Sequence, residues 1–256
     1  MMKLACMSLS YQNDFRAGKM DLESFIETCY RLGLDGVDLH ARSFSATDEG
    51  YLKKIKALCL GRGLPVACVC VSNNFGKPEA ELPHEVETFK RWMDRAQIMG
   101  APIVRAFGGW APQAGDEKAA WRRMIRCLKE VAEYGEERGM VVVLQNHDHR
   151  GLIQVGDDVI RALRETESPY LSHVLDTGQY TDLYSSIEKT APLAVHVRAK
   201  IYQIETGEER KLDYTRIFPI LERVGYNGFV SIVYEGREPE GEAVPKAVKY
   251  LRRFIR

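Results

Sequence analysis

The sequence predicts an α/β protein built as one closed (β/α)8 barrel over residues 1–256. Three observations carry that prediction. Short apolar runs, mostly β-branched, recur at intervals of about 30 residues, the size of one strand–helix unit. Each run is followed by a segment with apolar residues at helical spacing, commonly closed by a glycine. No linker or shift in composition breaks the alternation, and 256 residues suit one barrel, which typically runs to about 250. An open doubly wound sheet is the rival arrangement. It needs a glycine-rich phosphate loop after the first strand, and Ser8-Leu9-Ser10-Tyr11-Gln12 is not one.

Residues 4–9 read as the first strand. Asp21 is placed to cap a helix with Phe25, Cys29, Tyr30 and Leu32 on one face, closed by Gly33. Residues 36–40 form the second strand, and a helix follows from about Asp48 to the stop at Gly61 and Gly63. Residues 65–72 are the third strand, followed by a long helix over 81–99 and the capping Gly100. Residues 102–107 are the fourth strand, with a helix over 116–138 after it. The β-branched run from Val141 is too short for a helix and reads as a buried parallel strand. It leads straight into Gln145, Asn146, His147, Asp148 and His149. Helix 157–165, strand 172–176, helix 183–189, strand 193–200, helix 214–224, strand 228–234 and a helix near 244–254 complete the chain.

Composition narrows the function. Thirty-six basic and thirty-six acidic residues cancel, so there is no electrostatic case for nucleic acid or an anionic membrane as partner. No apolar run approaches the roughly 20 residues of a membrane span, and the N-terminus has no signal-peptide pattern. A cytoplasmic protein acting on a small molecule is expected, with a homo-oligomer left open. The six cysteines are scattered without a C-x-x-C pair. Cys68 and Cys70 share one strand face and suit core packing as free thiols.

Chemistry is expected at the carboxyl ends of the strands, where parallel barrels carry their sites. Residues two apart share a strand face. The inward sets are then Asp38 and His40; Ile103, Arg105 and Phe107; Val141, Val143, Gln145 and His147; Val174 and Asp176; His196, Arg198 and Lys200; Ser231, Val233 and Glu235. Lone buried charges are expensive, so these groups need partners or a wet mouth. Arg105 could alternatively belong to a structural ion pair, Asp176 could cap a turn, and His149 could be a plain loop residue. His173 falls on the other face and reads as a packing or surface histidine.

Several segments resemble one family. Gly33-Leu34-Asp35-Gly36-Val37-Asp38-Leu39, Val104-Arg105-Ala106-Phe107-Gly108-Gly109-Trp110, Gln145-Asn146-His147, Asp176-Thr177-Gly178-Gln179 and Tyr234-Glu235-Gly236 stand in the order of its motifs. The chain resembles the sugar phosphate isomerase/epimerase family, the xylose-isomerase-like TIM barrels of the AP endonuclease family 2 superfamily. The resemblance implies a (β/α)8 TIM barrel and a divalent cation on four strand-end ligands. These are the Glu of Glu-Asn-His, the Asp of Asp-Thr-Gly-Asn, a His or Gln before a Lys on the seventh strand, and a Glu on the eighth.

Carried onto this chain, those positions are Gln145, Asp176, Arg198 and Val233. Valine offers no donor, and a guanidinium stays protonated and repels a cation. A cofactor-free divergent member is therefore expected, with Arg198 in the metal's place and paired with Asp176. A shifted set of His147, Asp176, His196 and Glu235 is the fallback for Mn, Co, Mg or Zn. Candidate catalytic residues are His147, Glu235, Arg198, Asp176, Lys200 and His40. Candidate substrate contacts are Gln145, Arg105, His196, Asn73 and Trp110.

Three functional readings follow. The first is a metal-independent enzyme that isomerises, epimerises, eliminates or cyclises a small polyol-like or carboxylated substrate. The second is a catalytically silent protein that binds a small ligand or a partner. The third is a conventional metal-dependent isomerase/epimerase with the shifted site.

Overall fold

The computed structural model describes residues 1–255. Eight strands pair in sequence order, each parallel to its neighbours: β1 (Lys3–Met7), β2 (Gly36–His40), β3 (Val66–Cys70), β4 (Ile103–Phe107), β5 (Val141–Gln145), β6 (Leu171–Asp176), β7 (Ala194–Ile201) and β8 (Phe229–Tyr234). β8 pairs back onto β1 and closes the barrel. Around it lie α1 (Gln12–Arg16), α2 (Leu22–Arg31), α3 (Glu49–Gly61), α4 (Leu82–Met99), α5 (Glu117–Glu136), α6 (Gly156–Thr166), α7 (Tyr184–Thr190), α8 (Tyr214–Arg223) and α9 (Glu240–Leu251). The predicted fold class holds. Among the described residues no helix is long and apolar enough to cross a membrane.

Local chemistry sets the boundaries. Asp21 caps α2 by accepting the Ser24 N–H, while Ser24 Oγ accepts the Asp21 N–H. Asp48 likewise caps α3 through the Tyr51 N–H. The first strand stops at Met7 because the next turn, Ser8–Tyr11, is a 3-10 helix. Its serines take over the ladder: Ser8 Oγ accepts the His40 N–H, and Ser10 Oγ accepts the Tyr234 N–H and donates to the Ile232 carbonyl. Tyr30 is not on the packed face of α2 but 53% exposed. The last helix starts at Glu240, ahead of the expected position, where the buried Glu240 carboxylate accepts the N–H groups of Asn13 and Asp14.

Two apolar bodies form. The larger lies between barrel and helices. The smaller fills the lumen with Met7, Cys68, Cys70, Val143, Val174 and Val233, with Ile103 packed against it, as the inward parity of strands four, five, six and eight requires. Asp38, Arg105, Asp176, His196, Arg198 and Lys200 are all buried, and the contacts among them run across that lumen. The register slips in two places, between β2 and β3 at Val37/Asp38 and between β6 and β7 at His173/Val174. Such irregularities re-aim side chains. Here they adjoin Asp38 and His196, which meet from non-adjacent strands at 2.8 Å.

Above the apolar floor, two asparagines extend ladders that the backbone has abandoned. β3 and β4 are paired only at Val69↔Val104 and Cys70↔Arg105. Beyond that, Asn73 takes both backbone groups of Phe107, donating to its carbonyl at 2.8 Å and accepting its N–H at 2.9 Å. Asn146 does the same to Asp176, at 3.0 and 2.9 Å. On the rim, the buried Glu209 carboxylate accepts the N–H groups of Tyr202, Gln203, Lys211 and Leu212 and so shapes loop 202–212. Removing an asparagine clamp strands one buried donor and one buried acceptor, at about 1–3 kcal/mol for each group left unsatisfied. Asn73→Ala and Asn146→Ala are each expected to lower unfolding stability by about 2–6 kcal/mol. Denaturant titration checks this, and a loss under about 0.5 kcal/mol, the level of a neutral surface change, would contradict the clamp.

Candidate active site

The carboxyl ends of the strands surround a cavity of about 310 Å³. Its floor and walls include Gln145, Arg198, Val233 and Arg105, and its rim includes His147, His149, Gln179, Lys200 and Glu235.

Arg198 organises the floor. Its Nη1 donates to Gln145 Oε1 at 2.6 Å, and Gln145 Nε2 donates in turn to Asp176 Oδ2 at 2.8 Å. The expected direct pair of Arg198 with Asp176 is therefore corrected. The two are register partners on β6 and β7, yet the Gln145 amide lies between their charged groups, with its donor end on the carboxylate and its acceptor end on the guanidinium. The second nitrogen, Nη2, donates to Cys70 Sγ. Burial opposes the Arg198 charge, but Cys70, with Cys68, Asp38 and Asp176, outweighs it and raises its affinity for the proton. For Cys70 the balance is reciprocal. Burial alone would push the thiol up, whereas the Cys68 thiol and the Arg198 charge hold it at about 6. That balance favours a thiolate–guanidinium contact inside the barrel.

The next layer is ionic. Lys200 Nζ lies 2.5 Å from Glu235 Oε1 and 3.9 Å from Asp176 Oδ2. Glu235 is at the wet edge, its side chain 40% exposed, while Asp176 is fully buried. Burial raises the Asp176 carboxyl to about 6 despite Lys200 and Arg198. Arg105 makes no ion pair among the described residues, contrary to a structural salt bridge. Its Nη1 donates to the Val71 carbonyl at 2.8 Å, and its guanidinium carbon lies 3.8 Å from the Phe107 ring centroid. Burial and the neighbouring Arg198 lower it to about 10.

His147 sits on the rim with Phe107 and Trp110 each 5.2 Å from its ring centre. Its Nδ1 accepts the His149 N–H, so the neutral ring carries its proton on Nε2. Burial in this aromatic setting, followed by His149, lowers it to about 4. It is a neutral imidazole at physiological pH. Trp110 supports this ring and donates Nε1–H to the His149 carbonyl.

Five proposed site residues do not line the cavity: Asp176 lies beyond Gln145 and Trp110 against His147, and His196, His40 and Asn73 lie elsewhere. His196 is buried on Asp38 below the floor. His40 is buried too, its Nδ1 accepting the Arg42 N–H and its Nε2 beside Ser72 Oγ at 3.3 Å. Burial, then Arg105, Arg198 and Arg42, lower its pKa well below the ordinary value. Asn73 is the β3–β4 clamp described above. His173 is fully buried, between the Leu144 carbonyl and Tyr180. Residue-by-residue reading gave no role to Cys70, Asp38 or Gln179. Alternation along the strand had put Asp38 in the lumen and Cys70 on one face with Cys68, but nothing in the local sequence ties Cys70 to an arginine 128 positions away.

The four positions that the family resemblance assigns to metal ligands do not suit a divalent cation. Val233 has no donor. Gln145 has both ends of its amide engaged, Arg198 places a positive charge at the centre, and Asp176 is the one carboxylate left. The fallback set is dispersed as well, since His196 is committed to Asp38 below the floor. Potential donors do gather as Asp38, Cys68 and Cys70, and as His147, Asp148 and His149. The first group is in contact with the Arg198 guanidinium through Cys70, and the second consists of three consecutive residues on the rim.

A family model described as the xylose isomerase-like TIM barrel matches residues 26–254. The chain is 25% identical over 176 residues to a candidate hydroxypyruvate isomerase of Mus musculus, covering 62% of this chain and 61% of that protein. It is 22% identical over 254 residues to the D-psicose 3-epimerase of Ruminiclostridium cellulolyticum, covering 91% of this chain and 84% of that protein. A crystal structure of D-allulose 3-epimerase from Methylomonas sp. superposes with a TM-score of 0.80 at 14% identity, covering 99% of this chain and 98% of that one. That last likeness is one of fold.

The Cys70–Arg198 contact has a testable pH signature. A thiol is near 8.5 when unfolded and is held at about 6 here. A group lowered on folding contributes stability that is complete above its unfolded value and is lost as pH falls to its folded value. The destabilisation caused by Cys70→Ala is therefore expected to be larger at pH 9 than at pH 6. Chemical unfolding of both proteins at the two pH values measures it; a pH-independent difference would show that Cys70 is a neutral thiol.

Proposed function

Because the chain belongs to the xylose isomerase-like TIM barrel family, we propose that it is an isomerase- or epimerase-type enzyme for a small polyol-like or carboxylated substrate, working without a divalent metal. The observation that carries this reading is the Arg198–Gln145–Asp176 chain at the metal position. It puts a fixed positive charge at the floor of the cavity in place of a cation.

The chemistry follows from the groups present. Isomerisation and epimerisation beside a carbonyl both begin by removing a proton from the carbon next to it, which leaves an enediolate oxygen carrying negative charge. Glu235 is the accessible carboxylate and accepts that proton. Lys200, held between Glu235 and Asp176, and Arg198 supply positive charge to the oxygen. Neutral His147 offers Nε2–H as a donor without adding charge. Protonating the neighbouring carbon, with the hydroxyl proton passing from one enediolate oxygen to the other, gives the isomer; protonating the same carbon from the other face, by a donor other than Glu235, gives the epimer. Asp176 and Gln145 act behind Arg198, fixing its orientation. Trp110 holds the His147 ring in the same way.

Loss of an oxyanion donor typically lowers kcat by about 10²–10³. Arg198→Ala is expected to lower turnover of the active sugar or keto-acid by that factor, Glu235→Gln at the wetter rim by at least as much, and EDTA dialysis to leave the wild type unchanged. A panel of ketoses and short keto-acids, followed by product chromatography, provides the assay. Activity that disappears with EDTA and returns with Mn or Co would overturn the metal-free reading. Binding without turnover across the panel would make the protein a ligand-binding relative.

A further inference from the structure

Arg105 is the one charged lumen group that the proposed mechanism leaves without a partner. It is 1% exposed, so its guanidinium has given up nearly all of its water. Cys70, Cys68 and Asp176 act on it only through space, and no carboxylate pairs with it among the described residues. One nitrogen, Nη1, is used by the Val71 carbonyl. Nε is buried without any acceptor, and Nη2 also makes no hydrogen bond among the described residues. These two nitrogens share one edge of the planar group, the edge that receives the two oxygens of a carboxylate. The Phe107 ring, 3.8 Å from the guanidinium carbon, fixes the plane. Arg105 itself lines the cavity.

A second orphan belongs to another residue that lines the cavity. Gln179 Oε1 is buried with no donor, and Gln179 lines the cavity after β6, away from Arg105 on β4. Leaving a buried polar atom unsatisfied is unfavourable, so the occupant of the cavity brings an O–H to Gln179 as it brings an anion to Arg105. About 310 Å³ admits a short sugar-like chain. Lys200 and Arg198 sit on the same wall system and add positive charge.

We propose that the substrate is a small hydroxy- or keto-acid of sugar type, with its carboxylate held edge-on by Arg105 and a hydroxyl donated to Gln179. This rests on reading the cavity as the substrate site and selects the carboxylated class over neutral sugars. Arg105 is then a specificity residue.

Binding, not turnover, tests the proposal. Calorimetry on the wild-type protein compares ligands matched in skeleton and differing in the acid group: hydroxypyruvate with dihydroxyacetone, and D-fructuronate with D-fructose. Each acid is expected to bind about 10–100-fold more tightly, the range of a charge-assisted bidentate contact. Arg105→Gln should bring acid binding down to the level of the neutral partner, with a much smaller effect on the neutral ligand. Arg105→Lys should recover part of the preference, because it keeps the charge and loses the fork. Equal binding of acid and neutral ligand by the wild type overturns the proposal without recourse to any variant, as does failure of both acids to bind. A preference for fructose 6-phosphate over D-fructuronate, or an acid preference that survives Arg105→Gln, overturns it too. Arg105-dependent acid binding without turnover would uphold the carboxylate site and sink the enzymatic reading. Turnover confined to neutral sugars would do the reverse.

Discussion

A permanently charged guanidinium in the middle of a barrel must be solvated by protein. That requirement organises the site. Arg198 has lost its water, and a buried charge is tolerated only with compensating partners. The fold supplies them from three strands: the Gln145 amide from β5, the Cys70 sulfur from β3 and, through Gln145, the Asp176 carboxylate from β6. Asp176 in turn is fixed through its backbone by the Asn146 side chain. Positions that could be taken for independent replacements in a ligand set thus form one solvation shell around one charge.

Much of this was legible in the sequence, and the legible part has a common physical basis. Alternation along a strand and helical spacing are local properties, so the eight strands, the principal helices and the inward faces follow from them. Strand two was placed to the residue, and Val143, Val174 and Val233 point inward as alternation requires. The motif resemblance then located Gln145, Asp176, Arg198 and Lys200 around one mouth. The unread part is non-local. Asp38 and His196 are 158 positions apart and meet through two register irregularities, which no periodicity announces. Cys70 looked like an apolar core residue because a thiol changes character only beside a charge. Asn73, offered as a ligand contact, satisfies backbone that a short β3–β4 ladder leaves open. The Arg198–Asp176 pairing failed because strand register predicts which backbones lie opposite, not what side chain comes between them.

The division of labour between rigid and wet parts is also visible. The floor is dry: Arg198, Gln145, Asp176 and Cys70 are tied to one another, while Arg105 Nε and Arg198 Nε have no acceptor among the described residues. The rim is shaped by backbone-directed contacts such as Glu209 on loop 202–212 and by the aromatic support of His147. Ionisable groups with access to solvent, Glu235 above all, therefore stand over a layer whose electrostatics are fixed before any ligand arrives. Such preorganisation lets charge be stabilised without rearrangement of the surroundings.

The direction of the Gln145 amide has a further consequence. A side-chain amide has unlike ends, and here each end faces the charge it suits. A carboxylate at that position would confront Asp176 with a like charge, while a neutral acceptor at position 198 would leave the amide oxygen without its donor. Positions 145 and 198 are therefore epistatic: the effect of changing either depends on the identity of the other. Exchanging either residue alone breaks a matched pair rather than adjusting one contact.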